Sequence, residues 1–232
     1  MIGVVVPAHE EQETIAACLR SLRRAACCPG LRGEEVVMVV ALDSCTDATG
    51  TIARDLGALT IDVAARNVGK ARADGAQKAL DAGVRWLAFT DADSTVAPDW
   101  ITVQLALGTD AVCGTVTVDD WSGFSPHVRR QHHATYTDRD GHRHVHGANL
   151  GVSAQAYRRA GGFRPLVSSE DVDLVRSLHE SGASISWSAA PRVVTSARRN
   201  FRAPDGFGAT LARAAVSDVA SAAASACGGG GS

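Results

Sequence analysis

Strand-length apolar runs alternate with helix-length stretches over the first part of the chain, and this alternation restricts the fold more than any other feature. The apolar runs are Ile2–Val6, Val36–Leu42, Ala58–Val63 and Trp86–Thr90. The stretches between them carry apolar residues at helical spacing, over Glu11–Arg24, Ala48–Leu56 and Asn67–Ala82. Alternation of this kind produces right-handed crossovers between parallel strands. The sequence therefore predicts an α/β, Rossmann-like fold with a mainly parallel central sheet flanked by helices.

The pattern past Pro98 is less regular. Polar, poorly periodic residues 121–140 indicate an insertion. Around it, the spacing predicts helices over Asp99–Leu107, Ala154–Ala160 and Asp171–Ser181, and strands over Ala111–Val118, Val145–Val152, Ser184–Ser188 and Arg192–Thr195. Residues 209–226 predict an Ala-rich helix that packs on the sheet or, alternatively, contacts a second copy or a membrane surface. Residues 227–232 predict a flexible tail.

Composition excludes several classes of partner. The chain has 23 Lys and Arg against 25 Asp and Glu, so nothing predicts a nucleic-acid or anionic-membrane partner. Its six cysteines show no Cys-x-x-Cys spacing and are expected to be reduced thiols. No apolar run is long enough to cross a bilayer, and no leader is recognised at the start. We expect a cytoplasmic protein without a transmembrane segment, with a peripheral position at a membrane as the alternative.

Asp91-Ala92-Asp93 directly follows the apolar run at Trp86–Thr90. A buried strand that ends in two acids delivers both carboxylates to the carboxyl edge of a sheet, where open α/β folds bind ligands. Hard oxygen ligands without Cys or His suit Mg²⁺ or Mn²⁺, which take substrate phosphates as further ligands. The motif predicts a metal site for a nucleotide diphosphate, and acids that cap the next helix are the alternative.

Several motifs in chain order closely resemble the family 2 glycosyltransferases of GT-A fold, over about residues 2–199. They are Val4-Val5-Val6-Pro7-Ala8-His9-Glu10-Glu11, Asp43-Ser44-Cys45-Thr46-Asp47-Ala48-Thr49, Asn67-x-Gly69-Lys70, Asp91-Ala92-Asp93 and Glu170-Asp171-x-Asp173-Leu174. The resemblance implies a GT-A glycosyltransferase that moves a sugar from a nucleotide diphosphate sugar to a hydroxyl acceptor, with inversion. It implies one domain over residues 1–226, with a nucleotide-binding half (1–97), an acceptor half (98–208) that holds the insertion, and the Ala-rich helix.

The donor-binding residues implied by the resemblance follow the strand ends. Pro7, Ala8, His9 and Glu11 would contact base or ribose, with a helix start as the alternative. Asp43 would accept a hydrogen bond from a base N–H, although Leu42 stands where the family has a first Asp.

The diphosphate and the metal would lie beside the later motifs. Lys70, with Arg72, would hold diphosphate oxygens at a helix N-terminus, or else form a solvated basic face. Asp93 would bind Mg²⁺ or Mn²⁺ directly, while Asp91 would contact the ribose or a metal-bound water, with Ala92 between them. Gly147 and Ala148 would lie beneath the donor sugar and allow it to approach closely.

Glu170 and Asp171 stand at the predicted start of a helix. One acid there could be an N-cap, but two acids followed by Asp173 exceed what capping requires. In relatives the Asp that matches Asp171 is the general base that deprotonates the acceptor hydroxyl. We therefore expect Asp171, with Glu170 beside it, to be catalytic.

Six of the eight histidines lie between His127 and His146. His142, His144 and His146 alternate, so a strand would place them on one face. A zinc site and a polar loop that faces the acceptor are both open, and the absence of a nearby Cys favours the loop. Trp121 and Trp187 could stack on a sugar or lipid acceptor, and a core position is the alternative for Trp187.

Two other functions remain as alternatives. A sugar-1-phosphate nucleotidyltransferase would need a Gly-rich, basic loop after the first strand, and Pro7-Ala8-His9-Glu10-Glu11 is acidic and has no glycine. A non-catalytic sugar-nucleotide-binding module would keep Asp91 and Asp93 but has no use for Glu170 and Asp171.

Overall fold

The computed structural model describes residues 1–122, 124–166 and 168–196. The helices are α1 (Ile15–Ala26), α2 (Thr49–Asp55), α3 (Val68–Asp81), α4 (Trp100–Ala106), α5 (Pro126–Thr135), α6 (Ala154–Arg159) and α7 (Glu170–Glu180). The strands are β1 (Ile2–Ala8), β2 (Val36–Asp43), β3 (Leu59–Val63), β4 (Trp86–Phe89), β5 (Thr95–Val96), β6 (Ala111–Gly114), β7 (Thr117–Val118), β8 (Leu150–Ser153), β9 (Ile185–Ser188) and β10 (Val193–Thr195).

The central sheet has seven strands in the order β3-β2-β1-β4-β8-β6-β9. Only β8 runs antiparallel to its neighbours, β4 and β6. The chain order reverses between β1 and β4, and a ligand crevice forms at such a switch point outside the carboxyl ends of the strands. The predicted α/β fold with a mainly parallel sheet is confirmed.

Both faces of this sheet are buried, as a parallel sheet requires. Val4 and Val6 of β1 point to the face that α1 and α4 cover, whereas Val5 points to the face covered by α3 and α7. The small residues of α3 let that helix approach closely, since a Cβ on Gly75 would lie 2.5 Å from a methyl carbon of Val5. The Ala-rich character of α3 is thus a packing requirement.

Two predictions of secondary structure are wrong, and one helix was not predicted. Residues 145–152 do not form one strand, because Gly147–Asn149 are a 3₁₀ turn and β8 begins at Leu150. The predicted strand over residues 111–118 breaks after Gly114, and its second part, β7, joins β5 and β10 in a separate three-stranded sheet. The insertion contains α5, whose start is marked by Ser125, a side-chain cap for the Val128 amide, and by Pro126 in the first turn.

Other predictions concern features outside the sheet. The Ala-rich helix over residues 209–226 and the tail lie outside the described residues. Five of the six cysteines lie within the described residues, and all five are free thiols: Cys18, Cys27, Cys28, Cys45 and Cys113. Within the described part of the chain no helix is long and apolar enough to cross a membrane.

Candidate active site

The loops that follow β1 and β2 are joined by hydrogen bonds at the carboxyl edge of the sheet. Pro7 and Ala8 end β1, and the His9 ring nitrogen Nδ1 lies 2.6 Å from the Asp43 carbonyl oxygen. The Glu11 amide donates to the Thr49 hydroxyl at 2.8 Å. The predicted donor-binding residues of the two loops are therefore held as one unit beside the switch point.

Asp43, the last residue of β2, is 4% exposed. Its carboxylate accepts the backbone N–H groups of residues 65, 66 and 67 at 2.9, 2.7 and 2.6 Å, and the Ser44 hydroxyl at 3.1 Å. Burial raises the pKa of Asp43, but these donors outweigh burial, so that its pKa lies below the usual range. The carboxylate orders the loop before α3, and its bond to a nucleobase stays a prediction.

Arg72 on α3 joins two of the predicted acidic motifs. Its guanidinium donates to the Asp91 carboxylate at 2.6 Å and, through its other terminal nitrogen, to Glu170 on α7. The Arg72 and Glu170 side chains are 4% and 5% exposed. Arg72 is therefore not on a solvated face, whereas Lys70 is half exposed and pairs with Asp74 at 2.6 Å.

Asp91 and Asp93 follow β4 and flank Ala92, which is buried. One Asp91 oxygen is paired with Arg72, and Asp93 accepts the Ser94 hydroxyl at 3.3 Å. Burial raises the pKa of the Cys18 thiol, and the nearby acids Asp91, Asp93 and Glu11 raise it further. These three acids therefore lie near one another on this side of the sheet.

Carboxylate oxygens are hard donors of the kind that Mg²⁺ and Mn²⁺ prefer. Among the described residues, no three potential ligands are grouped closely enough to hold an ion. Mg²⁺ is usually bound through one or two carboxylates together with substrate phosphates, so Asp93 is a suitable ligand when a diphosphate completes the site. Asp91, because it is paired with Arg72, is the less available of the two acids.

Asp171 lies in the first turn of α7, after Ser169 in the left-handed conformation (φ 58°). Its Oδ1 accepts the Val172 amide and its Oδ2 accepts the Gly147 amide, both at 2.8 Å. The two bonds hold a partly exposed carboxylate against the segment predicted to lie under the donor sugar. The structure thus places Asp171 in direct contact with Gly147, and it links Glu170 to Asp91 through the Arg72 guanidinium.

The 3₁₀ turn Gly147–Asn149 forms a floor with little spare volume. A Cβ on Gly147 would lie 2.3 Å from the Arg72 guanidinium carbon, so only glycine fits there. Asn149 is fully buried, and its side chain makes three hydrogen bonds: it accepts the Trp100 indole N–H at 2.9 Å and donates to the carbonyls of Thr115 and Pro191 at 2.7 and 2.9 Å. Ala148 between them is buried. Sequence reasoning assigned no role to Asn149, and an Asn directly after Gly147-Ala148 was the signal that could have found it.

The histidines after α5 stack, although residues 142–146 are not a strand. The Tyr136 ring stacks on His144 at 4.3 Å, and its hydroxyl lies 2.9 Å from His146 Nε2. Burial, with His144 nearby, lowers the pKa of His146 to about 4, so that its imidazole is neutral at pH 7. His142 is buried, and its Nε2 has no hydrogen-bond partner.

The insertion also forms a pocket. Its volume is about 290 Å³, and it is lined by Trp121, Ser122, Phe124, Ser125, Pro126 and Arg129. The Trp121 ring packs against His132 at 5.2 Å, and His132 stacks on Tyr136 at 4.9 Å. Trp187 is partly exposed and packs edge-on against His142. Aromatic contacts therefore extend from this pocket towards His146, the neighbour of Gly147.

Comparison with known proteins identifies the family. A search of curated proteins finds no match. Among solved structures, S. aureus TarS 1-349 in complex with UDP-GlcNAc aligns with a TM-score of 0.66 and 16% identity, over 89% of this chain and 61% of that chain. The mannosyltransferase PcManGT from Pyrobaculum calidifontis, in complex with GDP-Man and Mn²⁺, aligns with a TM-score of 0.63 and 19% identity, over 86% and 57%.

The chain therefore spans less than two thirds of these proteins, and at such identities they show the GT-A fold alone. The sequence profile described as Glycosyl transferase family 2 matches residues 3–165, more than half of the chain. A match of that extent, on a fold shared with two sugar-nucleotide complexes, makes this chain a member of glycosyl transferase family 2.

Proposed function

We propose that this protein transfers a sugar, with inversion, from a nucleotide diphosphate sugar to a hydroxyl acceptor, with Asp171 as the general base. One observation carries the proposal: Asp171 and the Asp91-Ala92-Asp93 motif lie at one edge of the sheet, joined through Glu170 and Arg72. A base and a diphosphate site at the same edge are what a direct displacement requires.

The reaction needs one base and no covalent intermediate. Asp171 would accept the proton of the acceptor hydroxyl, the oxygen would attack the anomeric carbon, and the bond to the nucleotide diphosphate would break on the opposite side. The Asp171 carboxylate is held by the Gly147 and Val172 amides, so it is oriented before the acceptor arrives. Mg²⁺ or Mn²⁺ held by Asp93 would supply charge stabilisation for the departing diphosphate.

The donor would lie over the unit built from Pro7, Ala8, His9, Glu11 and Asp43, with its sugar above Gly147 and Ala148. Two neighbours of this fold support a sugar nucleotide as donor, since they are described with UDP-GlcNAc and with GDP-Man and Mn²⁺. Those two complexes differ in both base and sugar. The donor must therefore be identified by experiment.

The acceptor would approach from the insertion. The 290 Å³ pocket is lined by Trp121, Phe124 and Arg129 among others, a combination that suits a sugar or a lipid-linked glycan. The histidines of residues 127–146 would face this acceptor. The expected cytoplasmic location stays a prediction.

A binding screen tests the proposal. We expect nucleotide diphosphates or their sugars, from a panel of uridine and guanosine compounds, to raise the melting temperature with Mn²⁺ by mass action. Calorimetric titration with the nucleotide diphosphate should show weaker binding when a chelator removes Mn²⁺. The loss of affinity on adding chelator should be larger for the wild type than for Asp93→Asn. A product with inverted anomeric configuration would support the mechanism. Binding without turnover would favour the non-catalytic module, and pyrophosphate release from a nucleoside triphosphate and a sugar 1-phosphate would favour the nucleotidyltransferase.

A further inference from the structure

Arg72 has an unusual environment for a charged residue. It lies on α3, a helix that packs on the sheet, and its side chain is 4% exposed. Its two terminal nitrogens donate to acids from different elements, Asp91 after β4 and Glu170 at the start of α7. A single guanidinium thus spans the donor motif and the helix that carries Asp171.

The cavity around the guanidinium fixes its position. The Gly147 backbone lies against one side, where a Cβ would be 2.3 Å from the guanidinium carbon. The Phe163 ring lies 5.8 Å from the same carbon, at cation–π distance. The Arg72 Nε is buried and has no hydrogen-bond partner. The site therefore holds the guanidinium in place even at the cost of one unsatisfied donor.

Stability alone does not account for this arrangement. Removing charges from water is costly, and a buried ion pair gives little net stabilisation compared with apolar residues of similar size. The planar fork of arginine, however, binds two carboxylates in a fixed geometry that a lysine ammonium cannot reproduce. The arrangement favours fixed geometry over stability.

We propose that Arg72 is a positioning residue that sets the placement of the catalytic base relative to the donor site. Through Asp91 it holds the end of β4, and through Glu170 it holds the first turn of α7, in which Asp171 is the next residue. The inference rests on the proposed function, because it explains how the distance between the donor site and the base Asp171 is set. Glu170 then acts through Arg72 and not on the substrate.

The test uses Arg72→Lys, which keeps the charge but loses the fork, and Arg176→Lys as control. Arg176 lies on α7, is 59% exposed and pairs with Asp173, outside the site. We expect R72K to lower kcat about 10- to 100-fold, as small misplacements of reacting groups do, with the donor KM changed far less. R176K should keep wild-type turnover. Wild-type kcat in R72K, or an equal loss in R176K, would overturn the inference.

A binding cycle tests the linkage without turnover. Glu170→Gln is combined with Arg72→Met, and the affinity for a nucleotide diphosphate with Mn²⁺ is measured by calorimetry in all four proteins. Because Arg72 links Glu170 to the donor motif in the described part of the chain, E170Q should change the affinity at least about two-fold with Arg72 present and less in the R72M background. If R72M does not fold, R72K takes its place in the cycle. Additive effects would overturn the linkage, whereas a wild type that binds no nucleotide would overturn the proposed function.

Discussion

Replacement of Asp171 by Asn separates the fold from the chemistry. The Asp171 carboxylate accepts two backbone N–H groups, from Gly147 and Val172, both at 2.8 Å. Asn has one oxygen, so one of these donors loses its partner, at a cost of about 1.5–3 kcal/mol for a bond to a charged group. Loss of a negative charge in the first turn of α7 adds about 0.3–1 kcal/mol. The variant should therefore be less stable by roughly 2–4 kcal/mol and melt about 5–15 °C lower.

The effect on turnover should be larger than this loss of stability explains. General base catalysis contributes about 10²- to 10⁴-fold in rate, so kcat for D171N should fall by that factor at a temperature where the variant is fully folded. Affinity for the nucleotide diphosphate should change little, because the proposed role of Asp171 is to accept a proton from the acceptor and not to bind the nucleotide. Initial rates and calorimetry measure the two quantities.

Asp173→Asn provides the matched control. Asp173 lies two residues further along α7, is 7% exposed and pairs with Arg176. D173N should lose stability as D171N does, but it should keep its turnover. Near-normal kcat in D171N, an equal loss in D173N, or a product that retains the donor configuration would refute Asp171 as the base.

Two further perturbations test the floor of the site. Gly147→Ala should displace the Arg72 guanidinium and lower the free energy of unfolding in urea by about 3–5 kcal/mol, as disruption of a buried ion pair does. In the control Gly33→Ala the added Cβ meets no side chain or distant backbone within 4 Å, so only left-handed strain of about 1–2 kcal/mol is expected. Equal losses in the two variants would contradict the contact between Gly147 and Arg72. The pKa of His146 is about 4 in the folded state, below its ordinary value of 6.5, so the unfolded chain takes up the proton at a higher pH than the folded protein does. The free energy of unfolding should therefore fall by on the order of 2–3 kcal/mol as the pH drops from 6.5 to 4. His146→Gln should flatten that profile, and an unchanged profile would contradict the lowered pKa.

The backbone frame of the site was predictable from local sequence. Parallel strands end at one edge, so the apolar runs before Asp43 and Asp91 placed both acids at the carboxyl edge. Glu170 and Asp171 were predicted at a helix start, and α7 begins at Glu170. These features depend on patterns within a few residues.

Features that depend on distant partners were not predictable. The sequence places Arg72 in the first turns of α3, but its burial depends on Glu170, 98 residues away, and on space left by Gly147. Residues 145–152 were predicted as one strand, yet the side-chain bonds of Asn149 to Trp100, Thr115 and Pro191 hold a turn at residues 147–149. Helix α5 was missed because only Val128 in it is buried, which leaves almost no apolar periodicity.

The three bonds of Asn149 divide the site into a part that is costly to alter and a part that is open to change. Asn149 fixes the turn beneath the proposed sugar position to α4, to the end of β6 and to the approach to β10, and a Cβ on Gly114 would lie 2.2 Å from its amide. Isosteric Asp has no N–H to donate to the two carbonyls, so this turn has little room for sequence variation. A laboratory programme to change acceptor preference should therefore randomise exposed positions of residues 121–144 and leave residues 147–149 untouched.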